Sequence, residues 1–356
     1  MKLILSPITR ALAVCAFALA LAAGALVERA AASSQNPYDY GQQNKDKDKD
    51  KGKAPQMSAD EQKALQKIMA APDAAAKLQA ASEYAKKYTK STERAKVVSY
   101  VAGHISQVQD DAQRISLLEN MLTVFKSPAD ADVINPILID SYVRAKRTDD
   151  AFRMAETSLA KNPNDITLLT QMAIVGIEEA KRGNPKFAQQ AMQYGAKAIE
   201  LIEGGKRPAD FDDARWNEYQ TRWLPQLYQS LGLVAVMMRK PDEAKPKLEK
   251  AASLNPNDPF TQILLGSLVN EEYQQLAEQY KMMNAGPSRD AKLKEAEAKL
   301  DQVIEFYARA IALSEGKPEY QKLHDQILED LQSYYKYRHN NSTDGLQQLI
   351  DKYKKQ

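Results

Sequence analysis

Residues 225–258 constrain this chain more than any other stretch. They open with Pro-Gln-Leu-Tyr-Gln-Ser-Leu-Gly, continue through Pro241-Asp242-Glu243-Ala244, and close on Leu254-Asn255-Pro256-Asn257-Asp258. Gly232 has no side chain, so a second helix can approach the backbone closely there. Ala244 is the small residue expected to meet that gap. Leu248 and Ala251 follow it at helical spacing and form one apolar stripe. Pro241 suits the first turn of a helix, where its missing N–H costs nothing. Asn and Asp around Pro256 favour a turn and the cap of the next helix. Such a helix–turn–helix unit cannot bury its apolar face alone and must stack on neighbours.

The order Leu231-Gly232, Ala244, Leu248, Ala251, Pro256 resembles the tetratricopeptide repeat (TPR) family. The likeness weakens on either side. Leu265-Gly266 restarts the pattern, and its second helix returns only at Val303, Tyr307 and Ala310. Upstream, 132–165 carries Leu138, Tyr142, Ala151, Ala155 and Pro163, with Ile139 where glycine is usual. Residues 166–202 carry Met172-Ala173, Ala191, Ala198 and Leu201, with extra residues around Gly183-Asn184-Pro185. Across 132–313 the resemblance implies an all-α fold, a right-handed α-solenoid of TPR-like helix-turn-helix repeats with insertions. The alternative is an irregular helical bundle.

The flanks divide by composition. Lys2 and Arg10 precede an apolar run from Ala11 to Val27, and Ala30-Ala31-Ala32 offers a small-residue cleavage site. Residues 1–32 therefore read as an export signal or as an uncleaved membrane anchor. Cys15 is the only cysteine, so a chain cleaved after Ala32 has no thiol chemistry. That combination suits a bacterial envelope, with the protein periplasmic or membrane-anchored and facing the periplasm. Residues 33–57 hold the alternating run Lys45-Asp46-Lys47-Asp48-Lys49-Asp50-Lys51 and read as a disordered Lys/Asp-rich linker. The net charge of +2 is supplied by the leader, and a near-neutral remainder argues against nucleic-acid binding.

From Ser58 the pattern is helical throughout, with Ser58 and Glu61 spaced as a capping box. Residues 58–131 lack the Leu-Gly pair and read as divergent repeats or a capping module. Gly204-Gly205-Lys206-Arg207-Pro208 is a break. Trp216 and Trp223 follow it on one helix face, as core residues or as an aromatic clamp. Asn284-Ala285-Gly286-Pro287 should separate two lengthened helices. Residues 314–356 read as a C-terminal helical pair split at Asn340-Asn341-Ser342-Thr343.

Catalytic signatures are scarce. His104, His324 and His339 have no second ligand at metal spacing. No nucleophile elbow, phosphate loop or dinucleotide fingerprint occurs. The expectation is a non-enzyme with no cofactor. In the TPR family the first helix of each pair lines a concave groove. That resemblance maps the groove onto Asp140 and Arg144, then Thr170 and Ile174. It continues through Gln229, Leu233, Val236 and Met237 to Ile263 and Asn270, with Glu178 and Glu271 beside them. The expected activity is a protein–protein interaction scaffold of the envelope that binds partner segments. Two rivals remain. One is a self-associating or membrane-anchored structural component, tethered through residues 11–27. The other is a glycan- or peptidoglycan-associated protein using Trp216 and Trp223.

Overall fold

Ser58 accepts a hydrogen bond from the Glu61 amide (3.2 Å) and starts α1, Ala59–Ala70. From there the chain runs helix after helix. The computed structural model describes residues 57–354, which are all-α: fourteen α-helices and no strand among the described residues. The leader, its apolar run and almost all of the Lys/Asp-rich stretch lie outside the described residues. No described helix is long and apolar enough to cross a membrane.

The chain divides into two units at Leu168/Leu169. The first holds α1, α2 (Ala74–Lys87), α3 (Arg94–Ser106), α4 (Asp111–Val124), α5 (Pro128–Arg144) and α6 (Thr148–Lys161). Each helix packs on the next, and α2 and α3 also reach α4 and α5 respectively. Leu118, Met121 and Phe125 are fully buried with Val98, Ile105, Ile134 and Leu138. Helix α5 begins at Pro128, ahead of the boundary expected at 131/132. Ser127 and Asp130 form a reciprocal capping box, and Pro128 occupies the first turn.

The division falls inside α7 (Ile166–Lys181). The second unit continues through α8 (Ala188–Glu203), α9 (Asp213–Met237), α10 (Pro241–Leu254), α11 (Pro259–Met282), α12 (Pro287–Ser314), α13 (Gln321–Arg338) and α14 (Leu346–Lys354). Three breaks fall where Gly, Pro and Asn clusters place them: 204–212, 283–286 and 339–345. Helix α9 differs from expectation. It starts at Asp213, capped by Asp212, and runs straight through Pro225. A proline there forfeits one backbone hydrogen bond. Leu224, Leu227 and Leu231 bury their side chains on either side of it and hold the helix continuous.

Within the pairs the glycines act as contact points. A Cβ on Gly232 would lie 2.7 Å from the end of Leu248, and one on Gly266 would lie 2.5 Å from the Tyr307 ring. Ala244, Leu248 and Ala251 are buried as the apolar stripe requires, and Val303, Tyr307 and Ala310 do the same on α12.

Two local structures recur. After α5, α7, α8 and α9 the chain places one residue in the left-handed region: Lys146 (φ 57°), Gly183 (φ 87°), Gly205 (φ 69°) and Arg239 (φ 56°). Each donates its N–H to the carbonyl three back, and the next residue donates to the carbonyl five back. That pair of bonds satisfies helix-end carbonyls in the Schellman arrangement. The second is Asn-Pro-Asn-Asp, at 162–165 and again at 255–258. In both, the Asn amide closes the preceding helix and the Asp carboxylate accepts an amide of the following one.

Candidate functional site

The ten residues mapped as a groove fall in both units. In the first, Asp140 is half-buried on α5 and Arg144 is exposed one turn later. Arg144 lies 3.7 Å from Asp111, whose carboxylate also receives the buried Arg114. Arg114 further donates to the Val108 carbonyl (2.6 Å) and Ser141 Oγ (2.9 Å), so its charge is fully bonded. Burial raises the Asp140 carboxyl above the ordinary value, against the pull of Arg144 and Arg114.

In the second unit four of the mapped side chains are given over to packing. Thr170, Leu233, Ile263 and Asn270 are all at most 4% exposed. Leu233 and Ile263 belong to one core, and Val236 and Met237 pack half-buried against it. The reason lies in α11. From Pro259 to Asn270 every residue is buried, because α9, α10 and α12 pack on it and Tyr273 meets Tyr334 of α13 edge-on at 6.1 Å. A helix with neighbours on several sides has little face left for a partner. Gln229 is half-buried and tied down: its amide donates to Asp258 (2.5 Å) and Thr261 (2.7 Å), joining α9 to the start of α11. Ile174 is half-buried on α7.

Surface remains at the end of α9. Val236 and Met237 are half-buried, Met238 is 51% exposed and Arg239 is exposed. Glu271 of α11 is close enough for Arg239 to lower its carboxyl, while burial raises it more. Met238 and Arg239 were invisible to the Leu-Gly phase, since they sit in the turn rather than on the helix face. Further along, the buried side chains of Asn270, Tyr273 and Gln274 on α11 meet Tyr334 of α13, whose hydroxyl lies within hydrogen-bonding reach of Asn270 and Gln274. They form a polar seam between α11 and α13.

The tryptophans lie on α9 as expected. Trp216 is buried, stacked on Tyr219 (5.8 Å, 10°) and edge-on to Phe211 (6.3 Å). Trp223 is half-buried, with Arg222 4.8 Å above its ring. The histidines are engaged separately. His104 is edge-on to Tyr100, His324 lies beside Asp325, and His339 stacks on Tyr335 at 3.8 Å. Among the described residues no three His, Cys, Asp or Glu side chains gather where they could hold a metal. No family model matches the chain, and no curated protein matches it.

Proposed function

We propose that the chain is a non-catalytic scaffold: an α-solenoid of TPR-like helix pairs that holds partner protein segments against its first helices. The observation that carries this is local repetition. The same Asn-Pro-Asn-Asp joint precedes α7 and α11, and the same left-handed turn closes α5, α7, α8 and α9. Repetition of whole helix pairs is the mark of an array whose units stack and present an extended surface. The binding centre in this reading is Val236, Met237 and Met238, apolar side chains with surface left, beside Arg239 and Glu271. Methionine adapts to partners of varied shape. The leader, in the same reading, delivers the scaffold to the bacterial envelope, either cleaved or retained as an anchor.

Site-specific photo-crosslinking from position 237 in the native cell tests this, with Lys247 as the control. A discrete partner from 237 and not from 247 is the expected result. Products made only of this chain would favour the structural-assembly reading and sink the scaffold. The aromatic run on α9 favours one further reading, glycan binding at Tyr219 and Trp223. Quenching of tryptophan emission by peptidoglycan fragments is its test, and unchanged emission would remove it.

A further inference from the structure

A cleft of about 580 Å³ opens between α10 and α12, with α11 at its base. This volume is within the range of ordinary ligand sites. Its base is apolar: Leu265, Leu268 and Val269, with Phe306 half-buried beside them. Its walls are charged, and the charges are unequally engaged. Lys245 and Lys299 both bond the carboxylate of Glu272, one from each side of the cleft. Asp301 is held by two bonds from Arg338 (2.7 and 3.0 Å). Arg309 lies with its guanidinium 4.7 Å from the Tyr353 ring. Glu249 and Glu305 are exposed and bond no cation among the described residues. Counted with their direct ion-pair partners Glu272 and Arg338, the lining charges balance at four acids and four bases, and the two carboxylates without a cation are Glu249 and Glu305.

We propose that this cleft docks a partner segment in which lysine or arginine alternates with apolar residues. The apolar side chains would cover Phe306 and the α11 base, and the cations would settle between Glu249 and Glu305. Long basic side chains suit such a place, because their methylene stems lie on apolar surface while the charge stays at the rim. An anionic segment fits poorly, since both lysines are already shared with Glu272. The cleft is lined from α10, α11 and α12, and none of its lining residues belongs to the turn at Met237–Arg239. It therefore stands apart from the surface around Met237 and does not depend on that assignment.

The test uses the full chain and three labelled, end-blocked peptides: alternating Leu/Lys, alternating Leu/Glu and alternating Gly/Lys. Binding is read by fluorescence anisotropy, and position by a photo-crosslinker at Gln302 or at Met237. The expected result is that the Leu/Lys peptide binds tightest and crosslinks from 302. The double variant Glu249→Gln/Glu305→Gln should weaken it at least about tenfold. Both glutamates are exposed, so the variant should keep the parent's circular dichroism and melting temperature. Equal affinity for variant and parent would overturn the proposal. So would Gly/Lys binding as tightly as Leu/Lys, crosslinking from 237 alone, or no binding up to about 1 mM peptide.

Discussion

At the scale of single residues, backbone conformation and close contact decide more than charge. Lys146 and Arg239 occupy left-handed positions that disfavour any side chain with a Cβ. Lys146→Gly and Arg239→Gly should each raise stability by about 0.5–1 kcal/mol, the relief of strain exceeding the extra entropy of the unfolded glycine. Urea denaturation checks this, and a lower midpoint for both would mean that the basic side chains themselves hold the turns. The glycines at the helix contacts should behave in the opposite sense. Gly266→Ala would press a methyl into the Tyr307 ring and the Phe306 Cβ, at a cost of about 1–3 kcal/mol. Gly232→Ala meets the flexible end of Leu248 and should cost less. Asp140 gives a pH signature. Burial raises its folded carboxyl, so the folded state holds the proton more tightly than the unfolded state. Its ionised form therefore lowers stability above that value, and the penalty disappears as pH falls. Asp140→Asn should be more stable than the parent at pH 7 and level with it below about pH 4. A destabilised variant at pH 7 would show that the ionised form is held by a useful partner.

Among the elements, α5 starts on a capping box whose carboxylate, Asp130, also holds an arginine from α3. Asp130 accepts from the Ser127 amide (3.1 Å) and from Arg94 (2.9 and 3.2 Å). Burial would raise its carboxyl, but these bonds outweigh it and hold it below the ordinary value. A depressed folded value means the stabilisation is complete above about pH 4 and drains away as pH falls through the folded value. Asp130→Ala should cost about 1–2 kcal/mol at pH 7, with the deficit closing in acid. A deficit that persists unchanged at low pH would assign the loss to packing. Helix α5 also shows what the sequence made legible and what it hid. Its apolar positions Leu138 and Tyr142 could be read from spacing, but its start could not. Ser127-Pro128 with aspartate at the third position is a weaker signature than Ser with glutamate. Helix α9 hid its continuity for a related reason: the helix carrying Trp216 and Trp223 could be read, but Pro225 reads as a new start, and only the buried leucines around it show that the two stretches are one helix.

For the whole molecule, element type and pairing were legible, because apolar periodicity and Gly-Pro-Asn punctuation act locally. The positions mapped as a groove differ in how much surface they keep. Val236 and Met237 retain surface, whereas Leu233, Ile263, Thr170 and Asn270 do not. Phase along one helix assigns a direction, but it cannot say how many neighbours lie in that direction. The cleft between α10 and α12 was illegible, since it arises from residues sixty positions apart brought beside one another. The core that holds Leu248 runs from Leu233 to Tyr353, all within the second unit, and energetic effects there should be felt first among its own helices. Leu248→Ala, which empties a fully buried site, should cost about 2–5 kcal/mol. Hydrogen exchange should place the resulting loss of protection in α9–α12 rather than in α2–α5. Equal loss in both regions would mean that the chain unfolds as one cooperative block.

The long pair α11 and α12 meets in a turn at 283–286, where Met282 is 84% exposed. The Gly266–Tyr307 contact that locks the two helices lies well down their length, sixteen residues before Met282 on one strand of the pair and twenty after Pro287 on the other. A backbone cut at Ala285 would leave that lock untouched. The two fragments should stay together as a non-covalent complex with native helicity, which native mass spectrometry can weigh. The turn is thus a natural seam, at which this chain can be split, circularly rejoined or given an inserted domain without disturbing the packing on either side.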